Sequence, residues 1–172
     1  MSLKELIKLI EQWAIDRELD KNGTVEGQLI KTAEEVAELI IGISKGNLKL
    51  IKDSVGDVFV TLVIGSLLQG SKNDFIATFD DFYKYQKNDC FEDKYECIQA
   101  LMLNFSDLLV DISYNNAIHV RVNTIILIAE FYNLDFIDCV ESAYKEIADR
   151  KGVVKNGTFI KEDDLISVSY TH

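Results

Sequence analysis

Two groups of carboxylates carry the chemistry legible in this chain. Glu34, Glu35 and Glu38 fall in Lys31-Thr32-Ala33-Glu34-Glu35-Val36-Ala37-Glu38, and Asp53 and Asp57 bound Asp53-Ser54-Val55-Gly56-Asp57. On helices, spacings of three and four residues place Glu35 with Glu38, Glu34 with Glu38, and Asp53 with Asp57 along common faces. Like charges so arranged repel, by about 0.2–0.5 kcal/mol per exposed pair. A hard divalent cation removes that cost, since Mg²⁺ takes oxygen ligands and is commonly held by a few carboxylates together with substrate phosphates. For the glutamates alone, a solvated acidic face is the competing reading. Asp57 shifts the balance: it lies between Val55 and Val58-Phe59-Val60, at the head of the most apolar run in the chain. An unpaired carboxylate there would carry a desolvation cost of several kcal/mol. Lys49 and Lys52 are the nearest basic residues in sequence that could answer it.

The elements that must position these acids read as helices. Apolar residues recur at three- and four-residue intervals along most of the chain, and proline is absent. Leu3, Leu6, Ile7, Ile10, Trp13 and Ala14 form a first stripe, followed by a polar loop over Leu19 to Gly27. Thr24 or Gly27 starts a second helix, which Gly46-Asn47 stops in a left-handed turn. A third runs from about Leu48 to Leu68, so the two acidic groups sit on an antiparallel pair joined by a tight connection. Further helices are expected over Asp74 to Tyr85, Phe91 to Ser113, Val120 to Tyr132 and Phe136 to Arg150. Past Gly152, Val153-Val154 and Thr158-Phe159-Ile160 flank Lys155-Asn156-Gly157, the signature of a short hairpin. The fold class is therefore all-α: a bundle of antiparallel helix pairs over residues 1–152, with a hairpin or hooked tail over 153–172.

Composition narrows the function classes. With 172 residues and 48% hydrophobic content the chain can bury a real core. Its 29 acidic against 18 basic side chains give a formal net charge of −11, which argues against a nucleic-acid-binding surface. Cys90, Cys97 and Cys139 are widely spaced and fit neither a disulfide framework nor a zinc site, which points to a reducing cytoplasm. The N-terminal residues interleave charges with apolar residues, unlike a signal peptide. Val58 to Leu68 is interrupted by Thr61, Gly65 and Ser66 and is about half of the roughly 20 residues a membrane span needs. A soluble protein with no membrane partner is expected. His119 and His172 are isolated, and neither a P-loop nor a dinucleotide fingerprint occurs.

Glu35 to Asn47 can be laid without a gap on Asn104 to Asn116, and Gly56 to Ile64 falls on Val122 to Ala129 with a small change of offset. Two explanations stay open: an internal duplication giving two helix pairs (28–69 and 91–150) about an approximate two-fold axis, or the similarity of any two amphipathic helices.

The acidic pattern, E-E-x-x-E followed by a segment ending Gly56-Asp57-Val58, resembles the MazG-like all-α nucleoside triphosphate pyrophosphohydrolases, a group that includes dimeric dUTPases. Trp13-Ala14-x-Asp16-Arg17, Gln28-Leu29-x-Lys31 and Ala143-Tyr144-Lys145-Glu146-Ile147-x-Asp149-Arg150-Lys151-Gly152 extend the likeness to prophage-type members. It covers the first 70 residues and the last 35 or so, and leaves Ser71 to Tyr114 unmatched. The resemblance implies a Mg²⁺-dependent hydrolase, with Mn²⁺ a possible substitute, that cuts a nucleoside triphosphate between the α and β phosphates. It further implies a homo-oligomer with a role in nucleotide-pool housekeeping. Carried over by position, Glu35, Glu38 and Asp57 would be metal ligands, and Glu34 a further ligand or the group that orients the attacking water. Trp13, Gln28, Lys31, Lys145, Arg150 and Lys151 would meet the substrate.

Two positions depart from the family pattern. Ser54 stands where a Glu is usual, with Asp53 one position earlier as its replacement, and Lys145 stands where Asn is common. A noncatalytic helical interaction module derived from the same family is the alternative these departures leave open, as is an unrelated acidic bundle that senses a divalent cation. If the duplication is real, Asn104, Asp107 and Asn123 oppose Glu35, Glu38 and Asp57 and cannot form a second acidic site. Asp107→Ala is then expected to leave metal-dependent turnover nearly intact while Glu38→Ala abolishes it; equal losses in a pyrophosphate-release assay would contradict the division of labour.

Overall fold

A computed structural model describes residues 1–70, 91–110, 118–162 and 164–165. The helix expected over Asp74 to Tyr85, the end of the following helix beyond Val110 and the tail past residue 165 lie outside the described residues. The described chain is all-α apart from one hairpin: α1 (Leu3–Asp16), α2 (Leu19–Asn22), α3 (Val25–Lys45), α4 (Leu48–Leu68), α5 (Lys94–Val110), α6 (Ile118–Phe131), α7 (Phe136–Ala148), β1 (Gly152–Lys155) and β2 (Thr158–Lys161).

Local chemistry sets most of these ends. Ser2 and Glu5 form a capping box on α1, and Thr24 Oγ1 accepts from the Gly27 amide at the start of α3. Gly46 closes α3 at φ 64°, and the Asn47 amide donates back to the Gly42 carbonyl at 2.9 Å, so the chain reverses in two residues. Asn47 Oδ1 in turn accepts from the Leu50 amide and opens α4. Two expectations need correction. Leu19 to Gly27 is not wholly a polar loop: Glu18 turns left-handed (φ 57°) and Leu19–Asn22 forms a helical turn that buries Leu19 against the core. At α5, Asp93 Oδ1 accepts from the Tyr95 and Glu96 amides, which starts the helix at Lys94 rather than Phe91.

The bundle is organised around α4, which is buried on nearly all sides from Val58 to Leu67. It packs against α3, α7, α6 and α1, while α5 rests on α3 and α6. Phe59 meets Phe136 edge to face at 5.3 Å within this core. Each fully buried Val, Leu, Ile or Phe contributes about 1.5–3 kcal/mol, so α4 supplies much of the driving force. Its low amphipathicity follows from that position, since a helix enclosed by neighbours has no polar face to keep.

Two close approaches fix the helix spacing. Gly42 lets α3 lie against Ile51 near the turn, and Gly56 lets α4 lie against α7, where a Cβ would stand 2.4 Å from the Cys139 carbonyl oxygen and 2.7 Å from Ala143 Cβ. The hairpin turns through Asn156 (φ 54°) and Gly157 (φ 79°), both left-handed as a two-residue type I′ turn requires. Gly56→Ala is expected to lower stability by about 1–3 kcal/mol, because the α4–α7 backbone has no room for the methyl group. Urea unfolding measures it, and an unchanged midpoint would contradict the tight crossing.

Candidate functional site

The antiparallel α3–α4 pair brings Glu35 and Asp57 to the lining of one cleft. The register is held by two contacts: Gly42 against Ile51 near the turn, and Gln28 Nε2 donating to the Thr61 carbonyl at 3.1 Å further along. Asp57 is two helical turns from the connection and Glu35 nearly three, so both are positioned by rigid backbone. Both side chains are half-buried.

Their electrostatics follow. Burial pushes the Asp57 carboxyl up to about 7, with Glu35, Glu146 and Asp53 adding negative potential and Arg150 partly opposing it. Glu35 is also raised, first by burial, then by Glu38 and Glu34, against Lys31 and Lys161. Neither acid forms an ion pair among the described residues. Lys49 and Lys52, the nearest basic residues in sequence, are not the cations that act on Asp57; Arg150 at the end of α7 is.

The cleft offers about 110 Å³ of room and is lined by Trp13, Gln28, Lys31, Glu35, Asp57 and Arg150 among the residues expected from sequence. Trp13 is anchored by Nε1, which donates to the Ile147 carbonyl at 2.7 Å, and Arg17 lies 4.5 Å over its ring. Arg17 also donates to the carbonyls of Ala148 and Arg150, which satisfies the frayed end of α7 and stops it at Ala148 instead of Arg150. Lys31 pairs with Glu34. Arg150 pairs with Glu146 at 2.6 Å.

Other expected residues stand apart. Glu34 and Glu38 are exposed on α3 at the rim, where Glu38 still acts on Glu35. Asp53 is half-buried one turn before Asp57. Lys145 pairs with Glu141 at 2.6 Å and does not line the cleft. Lys151 lines a neighbouring depression of about 420 Å³ with Asp149, Arg150, Lys161 and Glu162. Ser54 is buried, and its Oγ has no hydrogen-bond partner among the described residues.

Sequence reasoning missed Phe159, Lys161 and Asp164, which close the cleft from the hairpin side. The hairpin reaches it because its tip is fastened to the start of α3: the Thr24 amide donates to the Gly157 carbonyl at 2.9 Å, and Gly27 has no side chain to obstruct that contact. Phe159 packs edge-on to Trp13 with centroids 5.2 Å apart. The period-2 alternation of a strand, which puts Phe159 and Lys161 on one face, was the available signal.

The donor chemistry suits a hard cation, because two partly desolvated carboxylates line one cleft and neither has an ion-pair partner among the described residues. Among the described residues no three acids converge on a single point; of the five acids expected from sequence, Glu35 and Asp57 line the cleft. No helix among the described residues is long and apolar enough to cross a membrane.

No protein family and no solved structure matches the chain. One relative is similar over 62 residues at 52% identity, an uncharacterized 18.2 kDa protein encoded in the rep-hol intergenic region of Haemophilus phage HP1. The match spans 36% of this chain and 38% of that protein.

The raised Asp57 predicts a stability slope of definite sign. Between the ordinary carboxylate value, about 4, and about 7 the folded protein holds a proton that the unfolded chain has released, so metal-free stability falls as pH rises through that window. The cost has an upper limit of about 4 kcal/mol. Asp57→Asn removes it and is expected to be more stable than the parent at pH 8 but not at pH 4. Urea unfolding at both values tests this, and a parent-to-variant difference that is independent of pH would contradict it.

Proposed function

We propose that the protein is a divalent-cation-dependent nucleoside triphosphate pyrophosphohydrolase, releasing the monophosphate and pyrophosphate. The observation that supports this reading most is the Glu35–Asp57 pair, desolvated at a cleft that also presents Lys31, Arg150 and Lys161. Carboxylates alone would repel a triphosphate, and cations alone would leave the acids unanswered. A divalent metal between them satisfies both, and would supply charge neutralisation and a water of lowered pKa.

The residues then divide the work. Glu35 and Asp57 would hold the cation through their carboxylate oxygens, with Asp53 and Glu38 as the further donors the sequence supplies. Lys31 turns from Glu34 to a phosphate oxygen, which frees the Glu34 carboxylate to take a proton from the attacking water. The water oxygen bonds to the α-phosphorus as the bridging bond to the β-phosphate breaks, and the bridging oxygen leaves with pyrophosphate. Trp13 and Phe159 form an apolar wall on which a base can rest. The same reading takes the protein to be a cytoplasmic homo-oligomer acting in nucleotide-pool housekeeping.

A panel of NTPs and dNTPs, including dUTP and oxidised or methylated forms, is expected to give pyrophosphate release with Mg²⁺ or Mn²⁺. Glu35→Gln and Asp57→Asn should each lower the rate at least about 10³-fold. Folded protein that releases none from any member would contradict the proposal, and metal binding without turnover would leave a cation-binding bundle in its place.

A further inference from the structure

The cleft and the outer depression share two residues, Arg150 and Lys161, so the two spaces are continuous across that edge. On the inner side stand Glu35 and Asp57; on the outer side stands Lys151, with Asp149 and Glu162 beside it. Trp13, Leu19, Val60 and Ile64 also line the cleft, and Phe159 of the hairpin packs on Trp13. A triphosphate at the acid pair can therefore meet cations at the edge where the cleft and the depression adjoin.

The cations in this region differ in availability. Arg17 is committed to the backbone carbonyls at the end of α7, while Lys31 and Arg150 each sit in a surface ion pair, with Glu34 and Glu146, that a phosphate must displace. Lys161 has no ion pair among the described residues. It is exposed at the end of β2, on the strand face shared with Phe159, and close enough to Glu35 to act on its charge. The hairpin that carries it is pinned at its tip to α3 and at its base by the Glu162 amide donating to the Lys151 carbonyl at 3.0 Å. The backbone is thus fixed while the ammonium group keeps its rotamer freedom.

We propose that Lys161 is the principal cation receiving the terminal phosphates, with Arg150 and Lys151 at the same edge. This rests on the pyrophosphohydrolase reading for its substrate. A purely structural role for Lys161, as counter-charge to Glu35, makes a different prediction: its loss would tighten cation binding and leave phosphate affinity alone.

The test is calorimetric binding of inorganic pyrophosphate at saturating Mg²⁺, alongside KM for a hydrolysed triphosphate. Lys161→Met is expected to weaken pyrophosphate binding about 10- to 100-fold and to raise KM more than it lowers kcat, as loss of a charge-assisted contact implies. Lys161→Arg should recover most of the affinity. Lys155→Met, on the other strand and outside the cleft, should match the parent. Pyrophosphate binding to Lys161→Met at parental affinity, in a folded and active variant, overturns this inference and leaves the proposed activity standing. A parent that binds pyrophosphate through Lys161 but hydrolyses no triphosphate overturns the activity and keeps the anion site.

Discussion

The candidate site depends on one unfavourable arrangement: two half-buried carboxylates, Glu35 and Asp57, line one cleft, and the charge of the first acts on the second. Free in water, the pair would separate and hydrate. Here α4 is enclosed by α1, α3, α6 and α7, and the α3 register against it is fixed by Gly42 on Ile51 and Gln28 on Thr61. Burial of the α4 side chains outweighs the few kcal/mol that the acid pair costs. On the proposed function, a bound cation would offset that cost.

The C-terminal hairpin completes what the helices begin. It adds only eight strand residues, yet it brings an aromatic ring against Trp13 and a lysine with no ion pair among the described residues to the lining of the cleft. Gly27, Gly157 and Thr24 make the docking possible, since a methyl group at either glycine would collide with the other segment. The acids thus come from the first helix pair, one wall from α1, and a cation-bearing rim from the end of α7 and the hairpin. The second helix pair, α5 and α6, contributes none of the residues lining the cleft and instead supports α3 and α4.

Much of this was legible in the sequence, for reasons that differ by element. The α3–α4 turn and the hairpin were clear because Gly46-Asn47 and Asn156-Gly157 encode left-handed backbone locally. The apolar run around Asp57 marks that acid in the sequence, but the pattern gives five acids at one site where, of those five, the structure lines the cleft with Glu35 and Asp57 alone. Leu19–Asn22 was read as loop because its helical turn depends on burying Leu19 under α4, which no local pattern records. Lys161 and Phe159 were missed for the same reason: their place in the site follows from where the hairpin docks. Lys145 was over-read, since its helix face directs it to Glu141. Ser54 takes no visible part in the acid site, and Asp53 supplies the charge at that turn.

The most direct test of the account is the titration of the Asp57 side-chain carboxyl by carbon-13 NMR, in metal-free protein and again at saturating Mg²⁺. The account predicts a midpoint near 7 without metal, set by burial and by Glu35, and a midpoint lowered by several pH units once the cation is bound. A midpoint in the ordinary carboxylate range that Mg²⁺ does not move would contradict the claim that this pair exists to hold a cation.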